Sequence, residues 1–206
     1  MQEEVPNELY REFMQDIAEE IDRENTIISD LLTLVKMDRK TQELNIAVTD
    51  VNDFIETKLK RLRPIAEKAN VEVVFESNRS VSAEIDASRL SLAFSNLVEN
   101  AIKYNHSGGK VTVKISQTKA LPAAHSKPTD YALVEVTDTG IGISPEFQEK
   151  IFDPFFRVDK SRSRAMGGAG LGLALVNEIA RQHGGQVKVL ASSEQGSTIA
   201  LVLPLS

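Results

Sequence analysis

The segment NLVENAIKYN carries polar side chains at intervals that suit one face of a helix. Asn96, Asn100 and Lys103 lie four and three residues apart, and Tyr104 stands at the edge of the same face. The apolar residues between them would pack on a core, so the polar stripe would point away from it. Such a stripe either meets only solvent or presents amide and ammonium groups to a ligand.

Glycines dominate two further segments, DTGIGIS and GGAGLGLAL. Gly168, Gly170 and Gly172 precede a helical pattern, so free backbone N–H groups and the positive end of the helix dipole can face a phosphate group. In isolation, such a turn is usually only the start of a helix. A dinucleotide-binding fold is excluded because these glycines follow a basic loop rather than a strand, and GxxxxGK[ST] is absent.

A basic loop, RVDKSRSRAMGG, leads into the second glycine segment. It is polar and has no periodicity, so it is either a solvated loop or a lid that closes over phosphates. We favour the lid, in which one or more of four cations would contact the phosphates: Arg157, Lys160, Arg162 and Arg164. The histidines show no ligand spacing, and we expect all three at the surface or in loops: His106, His125 and His183.

Composition limits the function classes. Of 206 residues, 41% are hydrophobic and 26% charged, which suits one folded domain with a small appendage. The net charge of −6 argues against a nucleic-acid partner, because phosphate backbones require clustered Lys and Arg. Without cysteine, thiolate metal sites and disulfides are excluded. No apolar run approaches the ~20 residues of a membrane span, and the first residues do not resemble a signal peptide.

The hydrophobic patterns predict an α+β fold, a two-layer sandwich with helices on one face of a mixed sheet. A long amphipathic helix comes first, from Leu9 to Met37, and we expect it to pair with another helix. Alternating runs predict strands over 45–51, 71–76, 110–117, 131–138, 186–191 and 197–203. Helical patterns cover 53–70, with Pro64 as an interruption or bend, 89–104 after a cap at Asp86 or Ser88, and 171–182.

In this order and spacing, the polar and glycine-rich segments resemble the boxes of the ATP-binding domain of histidine kinases. The wider family includes gyrase-type, mismatch-repair and chaperone ATPases. The resemblance covers about Asn45 to Ser206 and rests on five boxes: an N box at 96–105, a first glycine box at 138–142, an F box at 152–159, a second glycine box at 168–172 and a last one at 196–198. It implies a Bergerat-type ATP-binding fold that uses ATP and Mg²⁺.

The resemblance also implies roles for single residues. Asn100 would offer an amide oxygen to Mg²⁺, and Asp138 would accept a hydrogen bond from the adenine amino group, which favours ATP over GTP. Lys103 and Arg157 would act on the phosphates. The remaining candidate contacts to the nucleotide are Tyr104, Gly140, Gly142 and Thr198 at the base or sugar, and Gly168, Gly170, Leu171 and Gly172 at the phosphates.

Asn96 separates two kinds of enzyme within this resemblance. In gyrase-type and chaperone ATPases, a glutamate four residues before the metal-binding asparagine activates water. An amide at this position cannot take a proton, so hydrolysis lacks its base. This favours a protein-histidine kinase, a phosphotransferase whose imidazole acceptor is already nucleophilic when neutral. The alternatives are an ATPase of the wider family and a nucleotide-binding module without kinase activity.

The segment EEIDRENTIISDLLTLVKMD resembles the second helix of the dimerisation hairpin in these kinases. We therefore divide the chain into a partial dimerisation helix and linker, 1–42, and an ATP-binding catalytic domain, 43–206. No HELRTP-like segment is present among these residues, so we expect them to be part of a longer, dimeric sensor kinase. The expected partners are ATP or ADP, the missing helix with the phospho-acceptor histidine, and the receiver domain of a response regulator. We expect a cytoplasmic location, with a membrane anchor elsewhere in the full-length protein.

Overall fold

The computed structural model describes residues 7–38, 44–119, 130–158 and 169–205. The helices are α1 (Asn7–Asp38), α2 (Val51–Lys68), α3 (Ala87–Lys103) and α4 (Gly172–Gln182), with 3-10 turns at Pro145–Phe147 and Lys150–Phe152. The strands are β1 (Ala47–Asp50), β2 (Glu72–Ser77), β3 (Ser82–Ile85), β4 (Lys110–Lys119), β5 (Asp130–Asp138), β6 (Gln186–Ser193) and β7 (Gly196–Pro204). In the described ranges, no helix is both long enough and apolar enough to cross a bilayer.

Five strands form a mixed sheet in the order β2-β4-β5-β7-β6. Among the described strands, β2 and β4 are the only parallel pair, and β1 pairs with β3 in a separate antiparallel ribbon. One face of the sheet is buried, for example at Val113 and Val134, and α2, α3 and α4 cover it. This confirms the predicted two-layer architecture. The ribbon strand β3 was not predicted, and α2 continues through Pro64, where we predicted an interruption or a bend.

Helix α3 begins where Asp86 caps it. The Asp86 carboxylate accepts hydrogen bonds from the backbone N–H groups of Ser88 and Arg89, at 3.0 and 3.1 Å. The apolar face of α3 is buried and includes Phe94, which is 1% exposed. Because this face is fixed against the sheet, the opposite polar face of α3 is held at the edge of the domain.

His183 joins the end of α4 to the beginning of α3. Its Nε2 accepts a hydrogen bond from the Asp86 N–H at 3.0 Å, so Nδ1 carries the proton and donates to the Ile179 carbonyl at 2.8 Å. The ring is 8% exposed. The expectation of a surface or loop position was therefore wrong for His183, whereas His106 is exposed and His125 lies outside the described residues.

The two halves of α1 have different surroundings. Residues 7–22 are all exposed, whereas from Arg23 onward one stripe of the helix contacts the domain. Met37 is buried within the core, and its carbonyl accepts a hydrogen bond from Gln182 Nε2 at 2.9 Å. A second stripe stays apolar and between 38% and 59% exposed: Tyr10, Met14, Ile17, Ile21, Ile28, Leu32 and Val35. The helix therefore packs on its own domain and also keeps an uncovered apolar face.

Candidate nucleotide-binding site

The polar face of α3 meets the start of α4. A Cβ added to Gly172 would overlap Asn96 Oδ1, so the second glycine box lies directly against the N box. The Asn96 Nδ2 atom donates to the Leu92 carbonyl within α3 at 2.9 Å. Asn100 and Lys103 continue the same face toward the end of α3, and both side chains are partly exposed there.

The first glycine box packs on the end of α3. The Ile141 N–H donates to the Tyr104 carbonyl at 3.2 Å, and a Cβ at Gly140 would overlap that same carbonyl oxygen. Gly142 packs against the Ser193 carbonyl, and Ile143 N–H donates to Ser192 Oγ at 2.7 Å. Two separate backbone contacts, to α3 and to β6, therefore fix this loop.

Asp138 ends β5 inside a cluster of backbone groups. Its Oδ1 accepts a hydrogen bond from Gly140 N–H at 2.8 Å, and Ser197 N–H also donates to the carboxylate. Burial raises the pKa of Asp138, and these hydrogen bonds partly oppose the shift. Thr198 Oγ1 lies 3.0 Å from Thr137 Oγ1 on the neighbouring strand. We call Asp138, Gly140, Gly196, Ser197 and Thr198 the Asp138 cluster.

Near the same C-terminal end of α3, side chains with positive charge converge. Burial lowers the pKa of Lys103, and the nearby charges of Arg157 and Arg23 lower it further, against the opposite effect of Glu99. Arg157 Nη2 is buried and has no hydrogen-bond partner among the described residues. An orphaned guanidinium nitrogen beside an ammonium group is suited to an anion. We call Asn96, Lys103, Arg157, Gly170 and Gly172 the Lys103 cluster.

The F box is tied to the second glycine box. Phe155 N–H donates to the Gly170 carbonyl at 3.0 Å, and a Cβ at Gly170 would approach the Phe156 carbonyl oxygen to 2.6 Å. Gly170 has a φ of +73°, which an L side chain rarely adopts. Leu171 is 1% exposed, so only its backbone is available to a ligand.

Comparison with known proteins identifies the family of this fold. The family model described as "Histidine kinase-, DNA gyrase B-, and HSP90-like ATPase" matches residues 85–206. The chain belongs to this ATPase family. The chain therefore has an ATP-binding domain.

Named relatives of this ATPase domain are sensor kinases. The chain is 34% identical to the Sensor-like histidine kinase SenX3 of Mycobacterium tuberculosis over 96% of its length and 46% of the relative. It spans less than half of that relative's length. The structure of full-length ShkA in complex with AMPPNP matches with a TM-score of 0.78 and 24% identity, over 95% of this chain and 39% of ShkA. The structure of histidine kinase ThkA in complex with response regulator protein TrrA matches with a TM-score of 0.74 and 24% identity, over 98% of this chain and 53% of the matched chain.

In the ATPase domain, the structure brings together the predicted site residues that it describes. The Asp138 cluster packs on the Tyr104 carbonyl just after the end of α3, and the Lys103 cluster joins α3 to the start of α4. Gly168 and three lid cations lie in the segment 159–168, outside the described residues: Lys160, Arg162 and Arg164. The individual roles of the described residues remain predictions.

Sequence reasoning missed three contributions to the site. Ser197 supplies its backbone N–H to Asp138, a contact that no side-chain motif signals. Arg23 and Asp30 come from α1, for which we predicted only a pairing with another helix. Partial desolvation raises the pKa of Glu99, the negative charge of Asp30 raises it further, and Lys103 opposes the shift. A signal was available in the helical spacing of Arg23, Ile27 and Asp30, which places them on one face.

The site fits a metal that is held mainly by its nucleotide. In the described parts of the chain, no group of three or more His, Cys, Asp or Glu residues could hold a metal ion. Asn100 offers an amide oxygen, a hard ligand, on the face that leads to Lys103. Mg²⁺ commonly keeps waters and binds substrate phosphates with only one or two protein ligands. A single protein oxygen therefore suffices for Mg²⁺ bound to ATP.

Proposed function

We propose that the chain is the ATP-binding catalytic domain of a two-component sensor histidine kinase. In the complete protein, it transfers the γ-phosphoryl group of ATP to a histidine on a dimerisation helix. The residues proposed to act are Asn100 on Mg²⁺, Lys103 and Arg157 on the phosphates, and Asp138 on adenine. The proposal is supported by the contact between the N box and the second glycine box at Asn96 and Gly172.

The environment of Asn96 favours a kinase over an ATPase. Its amide nitrogen donates to the Leu92 carbonyl at 2.9 Å, which directs Oδ1 toward Gly172. The side chain is neutral and cannot accept a proton from water, so no general base stands here. Phosphoryl transfer to a neutral imidazole does not need that base, because the imidazole is itself the nucleophile. Catalysis then depends on positioning and on charge at the phosphates.

The uncovered apolar stripe of α1 supports an assembly role for residues 1–42. Tyr10, Ile17 and Ile28 share this stripe and are 38% to 59% exposed. Seven such residues on one helix form an apolar surface that favours burial against another helix. We propose that α1 is the second helix of a dimerisation hairpin, and that 43–206 form the catalytic domain. The complete protein would be a homodimer that carries the acceptor helix. A receiver domain would be the final phosphoryl acceptor, and the location would be the cytoplasm, where ATP is available.

The test is phosphorylation with and without an acceptor helix. The purified 206-residue chain should bind MgATP but should neither label itself with γ-labelled ATP nor hydrolyse it quickly. Fusing the first dimerisation helix of a relative such as SenX3 ahead of residue 1 should give acid-labile, base-stable label. Well-oriented intramolecular reactions reach effective molarities of about 10⁵ M or more, so the gain should be large where the fused helix presents its histidine to the γ-phosphate.

Two matched variants control this experiment. Replacing the fused histidine with alanine should abolish the label, and Asn100→Ala in the fusion should reduce it strongly. Acid-labile label on the unfused chain would contradict the assignment, because one of its own histidines would then be the acceptor. Rapid hydrolysis by the unfused chain would favour the ATPase alternative.

A further inference from the structure

The last turn of α1 is bound to the last turn of α4. Met37 is 8% exposed within the core of the domain, and its carbonyl accepts a hydrogen bond from Gln182 Nε2 at 2.9 Å. Leu34, one turn earlier, also packs on this core, and the main contacts of α1 are with α4. The C-terminal half of α1 is therefore docked on the ATP-binding domain. We call the hydrogen bond from Gln182 to the Met37 carbonyl the Gln182 latch.

The Gln182 amide is itself held in place by the start of α3. Its Oε1 accepts a hydrogen bond from Arg89 Nη1, and Arg89 Nε lies 3.7 Å from the Asp86 carboxylate. The same carboxylate accepts a hydrogen bond from the Asn45 N–H at 3.1 Å. Met37 and Asn45 lie on the two sides of the segment that links α1 to the domain. One polar network at the start of α3 and the end of α4 therefore binds the chain both before and after this link.

The docked side of α1 and its uncovered apolar stripe face in different directions. Residues two apart on an α-helix are separated by roughly 160° around its axis. Leu34 and Met37 face the domain. Leu32 and Val35, each two residues earlier, belong to the uncovered stripe and are 52% and 51% exposed. A helix packed on that stripe and the ATP-binding domain would lie on nearly opposite sides of α1.

In this docked arrangement, α1 separates the nucleotide site from the helix proposed to carry the acceptor histidine. Phosphoryl transfer requires the acceptor nitrogen in line with the γ-phosphate, with the reacting atoms about 3 to 3.5 Å apart. We infer that the Gln182 latch is an autoinhibitory contact, which must open before the domain reaches the acceptor. This inference rests on the proposed function, because that proposal places the acceptor helix on the uncovered stripe. It adds a regulatory role for Gln182, a residue outside the boxes of the resemblance.

Gln182→Glu opens the latch with the smallest change of shape. Oε1 is retained for Arg89, but the second oxygen cannot donate to the Met37 carbonyl and would also face the Glu178 carboxylate, which now accepts from Gln182 at 2.9 Å. In the fusion that carries an acceptor helix, this variant should label about twofold to tenfold faster than the wild type, the range that one hydrogen bond allows. The initial rate of acid-labile labelling measures this effect.

The affinity for MgATP should stay the same in Gln182→Glu. Gln182 lies ten residues after Gly172, which places it roughly 15 Å along α4 from the second glycine box. Isothermal titration measures the affinity. Gln186→Glu makes the same chemical change at an exposed position nearby and is the matched control, with unchanged labelling and affinity. Damage to the fold would lower the labelling rate or the affinity, so a faster rate at equal affinity distinguishes an opened latch from a structural defect.

Hydrogen exchange tests the latch without any acceptor helix. In the 206-residue chain, the amides of residues 23–37 should exchange faster in Gln182→Glu than in Gln186→Glu, because an undocked helix is only marginally stable in water. Equal exchange in the two variants would show that Gln182 does not hold α1, and would overturn the inference whatever the kinase activity.

The labelling outcomes separate this inference from the proposed function. If neither the wild-type fusion nor the Gln182→Glu fusion becomes labelled, the proposed function fails. If the wild-type fusion is labelled and Gln182→Glu is no faster than Gln186→Glu, only the inference is overturned. Slower labelling of Gln182→Glu at unchanged MgATP affinity would also overturn it, because the docked arrangement would then promote transfer instead of restraining it.

Discussion

The Asp138 cluster and the Lys103 cluster use different parts of the chain to meet one ligand. Around Asp138, the partners are mainly backbone groups from a glycine loop and strand β7, held at fixed distances. Around Lys103, the partners are long cationic side chains from α1, α3 and the F box. Backbone hydrogen bonds give geometric selection of a base, whereas mobile charges give attraction to phosphate with little geometric selection. The two ends should therefore respond differently to substitution.

Of the substitutions that test this difference, Asp138→Asn should weaken nucleotide binding most. It removes a charged acceptor and places a donor opposite the adenine amino group, so binding should weaken about tenfold to hundredfold. ATP and adenosine should lose affinity alike, since both carry the base. Titration calorimetry with each ligand measures this, and Glu135→Gln, on the same strand, is the control. Unchanged adenosine affinity in Asp138→Asn would remove the adenine assignment.

Arg157→Ala should weaken only the binding of the phosphate groups. ATP affinity should fall about threefold to tenfold while adenosine affinity stays the same. Stability without nucleotide should not fall, because the substitution also removes a buried nitrogen that lacks a partner. Thermal unfolding measures the second effect, and Lys150→Ala, an exposed neighbour, serves as control. A loss of both stability and adenosine binding would mean that Arg157 holds the fold instead.

Glu99→Gln should have the smallest effect, on stability rather than on binding. The pKa of Glu99 is raised in the folded chain, first by desolvation and then by Asp30, so its ionised form destabilises the fold above that pKa. The variant should melt higher at neutral pH, and the gain should stay below about 4 °C because solvent screens the charge of the exposed Glu99 side chain. As pH falls through the raised pKa, the wild type takes up a proton and the difference shrinks.

The control for Glu99→Gln is Glu12→Gln on the exposed half of α1. It should leave the melting temperature unchanged across the same pH range. The combination of Glu99→Gln with Asp30→Asn should gain less than the sum of the single changes, because each removes the same repulsion. An advantage for Glu99→Gln that grows as pH falls would have the wrong sign and would contradict the carboxylate pair.

Local sequence patterns predicted most of the helices and strands. The helical periodicity of α3 and its Asp86 cap were predicted, since both depend on neighbours within one turn. Strand β3 was missed because Ser82–Ile85 has only four residues and two of them are small, too short a run to show a period. Pro64 was predicted to interrupt or bend α2, but the helix continues through it, and packing of residues on both sides, such as Leu62 and Ala66, stabilises it.

The site was less evenly predictable. The spacing of Asn96, Asn100 and Lys103 correctly predicted that they share one face of α3, because helix geometry alone determines which residues share a face. The N–H of Ser197 and the charges of α1 depend on contacts between distant segments, which spacing does not encode. His183 shows the same limit, since its burial follows from the approach of Asp86, 97 residues away in sequence.

The hydrogen bonds of His183 also determine how accurately the phosphate end is assembled. The ring connects the last turn of α4 to the first residue before α3, while Gly172 and Lys103 lie at the opposite ends of these helices. At 1.5 Å per residue, the ring and the glycine turn are separated by roughly 16 Å along α4. A histidine that never meets the nucleotide therefore sets the axial alignment of the two helices. An error of one residue at this distant end would displace the second glycine box from Asn96 and leave the cations without a common target.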